Sequence, residues 1–155
     1  MTIPRGIEAA DAGGDTFRMK TASGTLEVSP ADVLDFPQGI PGFEACRHFV
    51  LVSSSETAPL HCLHGVGGPP VSFIGIDPRW VLPDYPCELT ESDRLRLGNP
   101  GSGPLVWLAL VTLGIDGSAT VNLRAPVVIN PERMIGCQLV PHDSPYPLRH
   151  TLPLD

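Results

Sequence analysis

The stretch Thr120-Val-Asn-Leu-Arg-Ala-Pro-Val-Val-Ile-Asn130 is the most informative part of the sequence for the architecture of the chain. Its polar and apolar residues alternate, as in a β-strand with two different faces, until Ala125-Pro126 interrupts the pattern. Proline has no amide hydrogen to give to a neighbouring strand, so this strand should lie on an edge, bend or carry a bulge at Pro126. Val121 and Leu123 share the face that we expect to be buried. The stretch therefore predicts one strand with a local break.

An almost entirely apolar run, Leu105–Leu113, lies just upstream of this strand. Asp116-Gly117 stands between the two segments and is a dipeptide typical of tight β-hairpin turns. We therefore expect the run and the first stretch to pair as an antiparallel hairpin.

The rest of the chain consists of short apolar segments separated by turn residues. With Pro 18 and Gly 16 in 155 residues, the composition favours short strands and defined turns over long helices. We predict a hairpin turn at Ala22-Ser23-Gly24 and further strands over 17–20, 25–28, 48–53, 60–64, 71–76 and 134–140. The sequence thus predicts a mainly β protein with a single antiparallel, β-barrel-like domain.

One or two short helical turns complete the expected architecture. Ser29-Pro30 combines a capping residue with a proline of the first helical turn, and Thr90-Glu91-Ser92-Asp93 resembles a capping box. Residues 1–16 show no sustained period, so we expect a flexible N-terminal extension there. Residues 17–155 form the predicted β domain.

The charge balance limits the classes of partner. The formal net charge is −7, and a nucleic-acid-binding surface needs cationic groups to neutralise phosphates. We therefore expect no direct nucleic-acid binding. An acidic surface instead favours a basic protein partner, because opposite charges steer the approach of the two molecules.

The location of the protein is predicted from its cysteines and its apolar segments. Cys46, Cys62, Cys87 and Cys137 are widely spaced, and the N-terminus lacks the pattern of a secretory signal. No apolar stretch approaches the length of a membrane helix, which is about 20 residues. The sequence predicts a cytoplasmic protein with free thiols and no membrane association.

His61, Cys62 and His64 are the candidate metal-ligating group. On a strand, Cys62 and His64 would share one face while His61 points the other way, so at most two ligands converge locally. Zinc sites require three or four ligands. We therefore predict no cofactor, and we keep a small-molecule-binding or metal-dependent β-barrel enzyme that uses these residues as the alternative hypothesis.

The segment Phe36-Pro-Gln-Gly-Ile-Pro-Gly-Phe-Glu44 indicates a rigid corner. Its prolines restrict the backbone, while its glycines permit conformations that other residues avoid. We expect Phe36 and Phe43 to fill the core, and Gln38 and Ile40 to be candidate contacts for a partner.

Several segments together resemble the FliW family of bacterial flagellar assembly factors. The matching segments, in order, are 36–44, 73–78 with 84–85, 106–113, 120–130 and 138–140 leading to Tyr146 and Arg149. The resemblance spans residues 17–152. It implies a compact, mostly antiparallel β-barrel without enzymatic activity.

The resemblance also implies two protein partners, newly made flagellin and the translational repressor CsrA. In that family, export of flagellin frees the factor, which then captures CsrA and relieves repression of flagellin translation. We expect a monomer when no partner is bound. The candidate partner-binding residues are Gln38, Ile40, Asn122, Arg124, Asn130, Tyr146 and Arg149.

Overall fold

The computed structural model describes residues 16–21, 24–67 and 70–152, and these form a mainly β domain. A helix, α1 (Glu91–Arg96), and two single 3-10 turns, Pro30–Asp32 and Pro78–Trp80, accompany the strands. The strands are β1 (Phe17–Thr21), β2 (Gly24–Val28), β3 (Leu34–Asp35), β4 (His48–Ser53), β5 (Leu60–Gly65), β6 (Ser72–Ile76), β7 (Val106–Leu113), β8 (Ala119–Val121), β9 (Val127–Asn130), β10 (Ile135–Gln138) and β11 (His150–Thr151).

Seven strands close into a barrel in the order β7-β6-β5-β4-β3-β10-β9, with β9 returning to β7. The pairs are antiparallel except for β3 and β10, which run parallel. Closure leaves the backbone groups of these strands paired around the ring. The predicted antiparallel, barrel-like fold is therefore confirmed, and β8 and β11 extend the sheet beyond β7.

The prediction of one strand over Thr120–Asn130 is wrong, because the stretch forms two strands, β8 and β9. Both pair with β7, through Val111 opposite Val121 and Leu108 opposite Val127. Two residues separate Leu108 from Val111, whereas five separate Val121 from Val127, so the returning strand carries three additional residues. We call residues 122–126 the bulge. The expected break at Pro126 is present as an insertion in the register.

The end of β8 and the bulge contribute apolar side chains to a second core, separate from the barrel interior. Val121 and Leu123 are fully buried, as the alternation predicted, and pack with Ile76, Tyr85 and Ala109. The barrel interior itself holds a separate apolar cluster that includes Leu34, Phe36, Phe49, Leu108 and Ile129. The packing of Leu123 in this second core therefore stabilises the bulge. The alternation of polar and apolar residues in the sequence already predicts that Val121 and Leu123 are the buried side chains.

Only one of the two phenylalanines of the corner at Phe36–Glu44 is buried in the barrel core. Phe36 is fully buried, but Phe43 is 46% exposed and meets Phe73 edge-on with ring centroids 5.1 Å apart. The expectation that both phenylalanines plug the core is thus wrong for Phe43. Gly136 lies against the Phe36 ring so closely that a Cβ there would stand 2.5 Å from Cζ.

The predicted helical turns are both present. Ser29 Oγ accepts a hydrogen bond from the Ala31 amide, and Thr90 and Asp93 form a reciprocal capping box at the start of α1. Most of the predicted N-terminal extension, residues 1–15, and the Ala22-Ser23 part of the first hairpin turn lie outside the described residues. No helix in the described ranges is both long and apolar enough to cross a bilayer.

Candidate functional site

A groove of about 570 Å³ lies beside the bulge, between α1 and the segment that follows β10. We call it the bulge groove. Aromatic rings and prolines make up much of its lining, with charged groups among them. Its lining residues are Tyr85, Pro86, Glu88, Thr90, Ser92, Asp93, Arg96, Trp107, Arg124, Pro126, Leu139, Val140, Pro141, His142, Asp143, Ser144, Pro145 and Tyr146.

The side chain of Asn122 shapes the bulge. Its Oδ1 accepts hydrogen bonds from the amides of Arg124 and Ala125, each at 3.0 Å. An asparagine that bonds the backbone two and three residues ahead imposes a turn on the chain. Asn122 is half-buried, and both hydrogen bonds that its Oδ1 accepts belong to this turn. It therefore positions Arg124 at the wall of the bulge groove.

The chain after β10 crosses the bulge and is fastened to it. Arg124 Nε donates to the main-chain oxygen of Tyr146 at 2.9 Å, and the Leu123 amide donates to the oxygen of Pro147 at 3.1 Å. Gln138 Nε2 adds a buried hydrogen bond of 2.9 Å to the oxygen of Ala125. The Pro147 and Gln138 contacts satisfy backbone groups of Leu123 and Ala125 that the register insertion removes from the sheet ladder.

Two tyrosines form one wall of the bulge groove. The Tyr85 hydroxyl donates to the Leu123 oxygen at 2.7 Å, and the Tyr85 and Tyr146 ring centroids are 4.9 Å apart. The pKa of Tyr85 is raised to about 12, mainly because the phenol is buried. The neighbouring Cys87 and Tyr146 also raise this pKa, by smaller amounts. The hydroxyl thus stays protonated at neutral pH and remains a donor.

Arg96 connects α1 to the opposite side of the groove. Its Nη2 donates to the Gln138 oxygen at 3.1 Å, and its Nη1 lies 3.4 Å from Asp93 Oδ1. Its Nε is buried and has no hydrogen-bond partner among the described residues. The charge of Arg96 is therefore matched by Asp93 within the protein itself.

A second groove of about 380 Å³ adjoins the first, since Arg96 and Val140 line both. We call it the loop groove, and its remaining lining residues are Gln38, Gly39, Pro41, Glu44 and Gln138. Backbone hydrogen bonds at Glu44 and from Gly42 lower the pKa of the Glu44 carboxyl, so it is ionised at neutral pH. The corner is held by Arg47, which donates to the main-chain oxygens of Pro37 and Glu44.

The grooves bring together some of the predicted partner-binding residues. Gln38 is exposed in the loop groove, and Arg124 and Tyr146 line the bulge groove. Asn122 lies behind Arg124 as the residue that shapes the turn. Arg149 is exposed beside β11 and lines neither groove.

Two predicted partner-binding residues are buried instead. Ile40 is 2% exposed and belongs to the barrel core, because the corner at Phe36–Glu44 folds it inward. Asn130 is 3% exposed, and its Nδ2 donates to the Leu97 oxygen at 2.8 Å, next to the end of α1. Both residues belong to the internal structure rather than to the surface of this conformation.

The α1 side and the segment after β10 are parts of the site that the sequence pattern does not reveal. Asp93, Arg96 and Val140 belong to elements that were predicted, but nothing in the local pattern shows that these elements face each other across a groove. The proline-rich run Pro141–Pro147 was a signal for a rigid wall that could have been used.

The alternative metal group does not assemble. His61 Nδ1 lies 2.7 Å from Ser53 Oγ and His64 Nδ1 lies 2.7 Å from Ser72 Oγ, on opposite sides of β5. Burial lowers the pKa of both histidines and raises that of the Cys62 thiol, which favours neutral forms of all three. Within residues 16–21, 24–67 and 70–152, no three His, Cys, Asp or Glu side chains are grouped to hold a metal ion.

Comparisons with known proteins agree on one family. The FliW protein family model matches residues 18–152. The flagellar assembly factor FliW of Natranaerobius thermophilus is 36% identical over 131 residues, covering 83% of this chain and 87% of that protein. The factor of Moorella thermoacetica is 33% identical over 136 residues, covering 86% of each chain. A crystal structure of the flagellar assembly factor FliW superposes with a TM-score of 0.79 at 29% identity, covering 87% of this chain and 96% of the other.

Proposed function

The chain belongs to the FliW family of flagellar assembly factors, and we propose that it acts in the cytoplasm by binding flagellin and CsrA. While flagellin is bound, CsrA is free to repress flagellin translation. When flagellin is exported, the vacated factor captures CsrA and translation resumes. The protein thus couples synthesis of flagellin to its removal, and it does so by binding, without catalysing a reaction.

The observation that supports this proposal most is the preformed pair of grooves beside the bulge. The walls are fixed before any partner arrives, by the Asn122 turn, the Tyr85 hydrogen bond and the crossing of Tyr146 over Arg124. A rigid surface loses little conformational entropy when it binds, so more of the contact energy is available for affinity. Such a surface suits repeated capture and release of protein partners.

The charge of the chain supports a basic partner. A net charge of −7 raises the rate of encounter with a cationic protein and lowers it for an anionic one. The resemblance implies that CsrA, as an RNA-binding protein, is basic. We therefore expect the association rate with CsrA to fall as the salt concentration rises, because ions screen the attraction.

The test is a titration of the purified full-length chain with purified flagellin and, separately, with purified CsrA. We expect saturable binding to each at micromolar concentrations or below, and relief of CsrA repression in a cell-free flagellin translation assay. Size-exclusion chromatography of the chain alone should give a monomer. Absence of binding to both partners, with a cooperative thermal melt showing that the chain is folded, would contradict the proposal.

The alternative enzyme is not favoured by a specific observation. His61 and His64 each face a serine hydroxyl on opposite sides of their strand, and Cys62 is held in its thiol form by burial. These side chains are typical of a half-buried strand.

A further inference from the structure

We propose that the bulge groove and the loop groove together bind one extended, basic segment of a protein partner. The inference rests on the proposed function, because it specifies the part of the partner that this surface takes. The two grooves share Arg96 and Val140, so their volumes of about 570 and 380 Å³ form one path across the surface. Val140 is 62% exposed at the junction and is positioned to contact whatever lies along this path.

The floor of the path suits apolar side chains. Trp107 is 5% exposed beneath the bulge groove, with Leu139 beside it, and the Tyr85 and Tyr146 rings form the adjacent wall. Aromatic side chains offer a large contact area and lose few rotatable bonds when they bind. The partner segment should therefore place at least one apolar side chain or proline over Trp107.

The charges along the path favour a cationic segment. Four carboxylates line the two grooves, those of Glu44, Glu88, Asp93 and Asp143, against the two guanidinium groups of Arg96 and Arg124. Asp93 and Arg96 pair with each other. In the described part of the chain, Glu88 and Asp143 are exposed and form no ion pair, which leaves an excess of negative charge at the open rim. A lysine or arginine of the partner would neutralise it.

The mixture of polar and apolar lining favours an extended backbone over a helix. An amphipathic helix satisfies its own amide groups and needs a continuous apolar groove. Here the hydroxyl side chains of Thr90, Ser92 and Ser144 line the same groove as the aromatic rings. Such groups can pair with the free amides and carbonyls of an extended or polyproline-like segment. The same negative rim opposes a single-stranded nucleic acid, whose phosphates would be repelled.

The experiment uses Trp107 as the reporter. The chain has two tryptophans, and Trp80 is 69% exposed outside both grooves, so Trp80→Phe leaves Trp107 as the sole tryptophan. Short synthetic peptides that tile flagellin and CsrA are titrated into this full-length variant. The expected binders carry lysine or arginine beside an apolar residue and shift the emission of Trp107 saturably. Matched peptides with glutamate in place of the basic residues should not bind.

Charge variants of the protein locate the contact. The double variant Glu88→Gln with Asp143→Asn should weaken the binding peptide by about threefold to tenfold, since exposed charge pairs are individually modest. The matched control is Glu56→Gln, which removes an exposed carboxylate of the 54–59 loop outside both grooves. Carbon chemical shifts of an isotope-labelled peptide should show an extended bound backbone.

Several results would overturn the inference. These are equal binding of the glutamate peptides, binding that leaves Trp107 emission unchanged, an equal effect of Glu56→Gln, a helical bound peptide, or tighter binding of a short RNA strand. A concentration-dependent Trp107 shift without peptide would instead assign the path to a second copy of this chain. If intact flagellin and CsrA bind but no peptide does, this inference fails and the proposed function stands. If neither intact protein binds, the proposed function fails as well.

Discussion

The hydroxyl of Tyr85 donates a 2.7 Å hydrogen bond to the main-chain oxygen of Leu123, within the bulge that interrupts the pairing with β7. Tyr85 lies in the loop that precedes α1, far from Leu123 along the chain. This buried contact joins the bulge to the loop that carries Tyr85 at the wall of the groove. The shape of the groove depends on this connection.

Replacing Tyr85 by phenylalanine tests that connection. The variant leaves the Leu123 oxygen buried without its donor, which should lower the free energy of unfolding by about 1–3 kcal/mol. Urea denaturation gives the measurement. Tyr146→Phe is the matched control, because the Tyr146 hydroxyl has no hydrogen-bond partner in the portion of the chain that the structure describes. Equal losses in the two variants would show that the hydrogen bond from Tyr85 to Leu123 makes no specific contribution to stability.

Asn122→Ala should loosen the bulge. It removes the acceptor of two main-chain hydrogen bonds, from Arg124 and Ala125, and we expect a loss of about 1–2 kcal/mol in the free energy of unfolding. Amide hydrogen exchange should become faster at these two residues. Asn122→Asp keeps an acceptor oxygen at the same place and should retain most of the protection. Unchanged exchange in the alanine variant would contradict the role assigned to Asn122.

Gly136→Ala should be strongly destabilising. The new Cβ would lie 2.5 Å from Cζ of Phe36 in the filled barrel core, and overpacking of this kind costs about 1–3 kcal/mol or more. Thermal unfolding measures the effect. Gly101→Ala is the control, since a Cβ at Gly101 meets no atom within 4 Å. A melt unchanged by Gly136→Ala would show that Phe36 moves aside at little cost.

Stability should fall as the pH drops below the ordinary pKa of histidine, which is about 6.5. Burial lowers the pKa of His61 and His64 in the folded protein, so the unfolded chain takes up protons first. Above that pH neither state is protonated and the two histidines contribute no pH dependence. The loss is at most about 1.4 kcal/mol per pH unit for each group.

Urea denaturation between neutral and mildly acidic pH measures this dependence. His64→Gln should flatten it, because the variant lacks the buried imidazole whose pKa is lowered. An unchanged slope in His64→Gln would remove His64 from the explanation.

The fold could be predicted from the sequence where the decisive contacts are local. The alternation around Val121 and Leu123 identified the buried face, and the capping residues at Ser29 and Thr90 identified the helical turns. Closure of the barrel depends on the pairing of β9 with β7 and of β3 with β10. Those partners are distant along the chain, and no local pattern specifies them.

The candidate site was predicted only in part, for the same reason. The alternation of polar and apolar residues predicts that the Arg124 side chain is exposed, and the structure confirms this. Asn130 has the same polar character, but the end of α1 packs over it and accepts its hydrogen bond through the Leu97 oxygen. Ile40 lies between turn residues, yet it packs among the side chains of the barrel core. Such outcomes depend on which elements meet in space.

Partners should dock along the two adjoining grooves, and Val140→Arg is the sharpest probe of this docking. The substitution places a bulky cation at the exposed junction of both grooves without disturbing the core. Leu113→Arg is the matched control, because Leu113 is similarly exposed, at 60%, and lines neither groove. Calorimetric titration of both variants with CsrA and with flagellin should show at least about a tenfold loss of affinity for one partner in Val140→Arg, equivalent to about 1.4 kcal/mol. Wild-type affinity for both partners in Val140→Arg, or an equal loss in Leu113→Arg, would contradict the account.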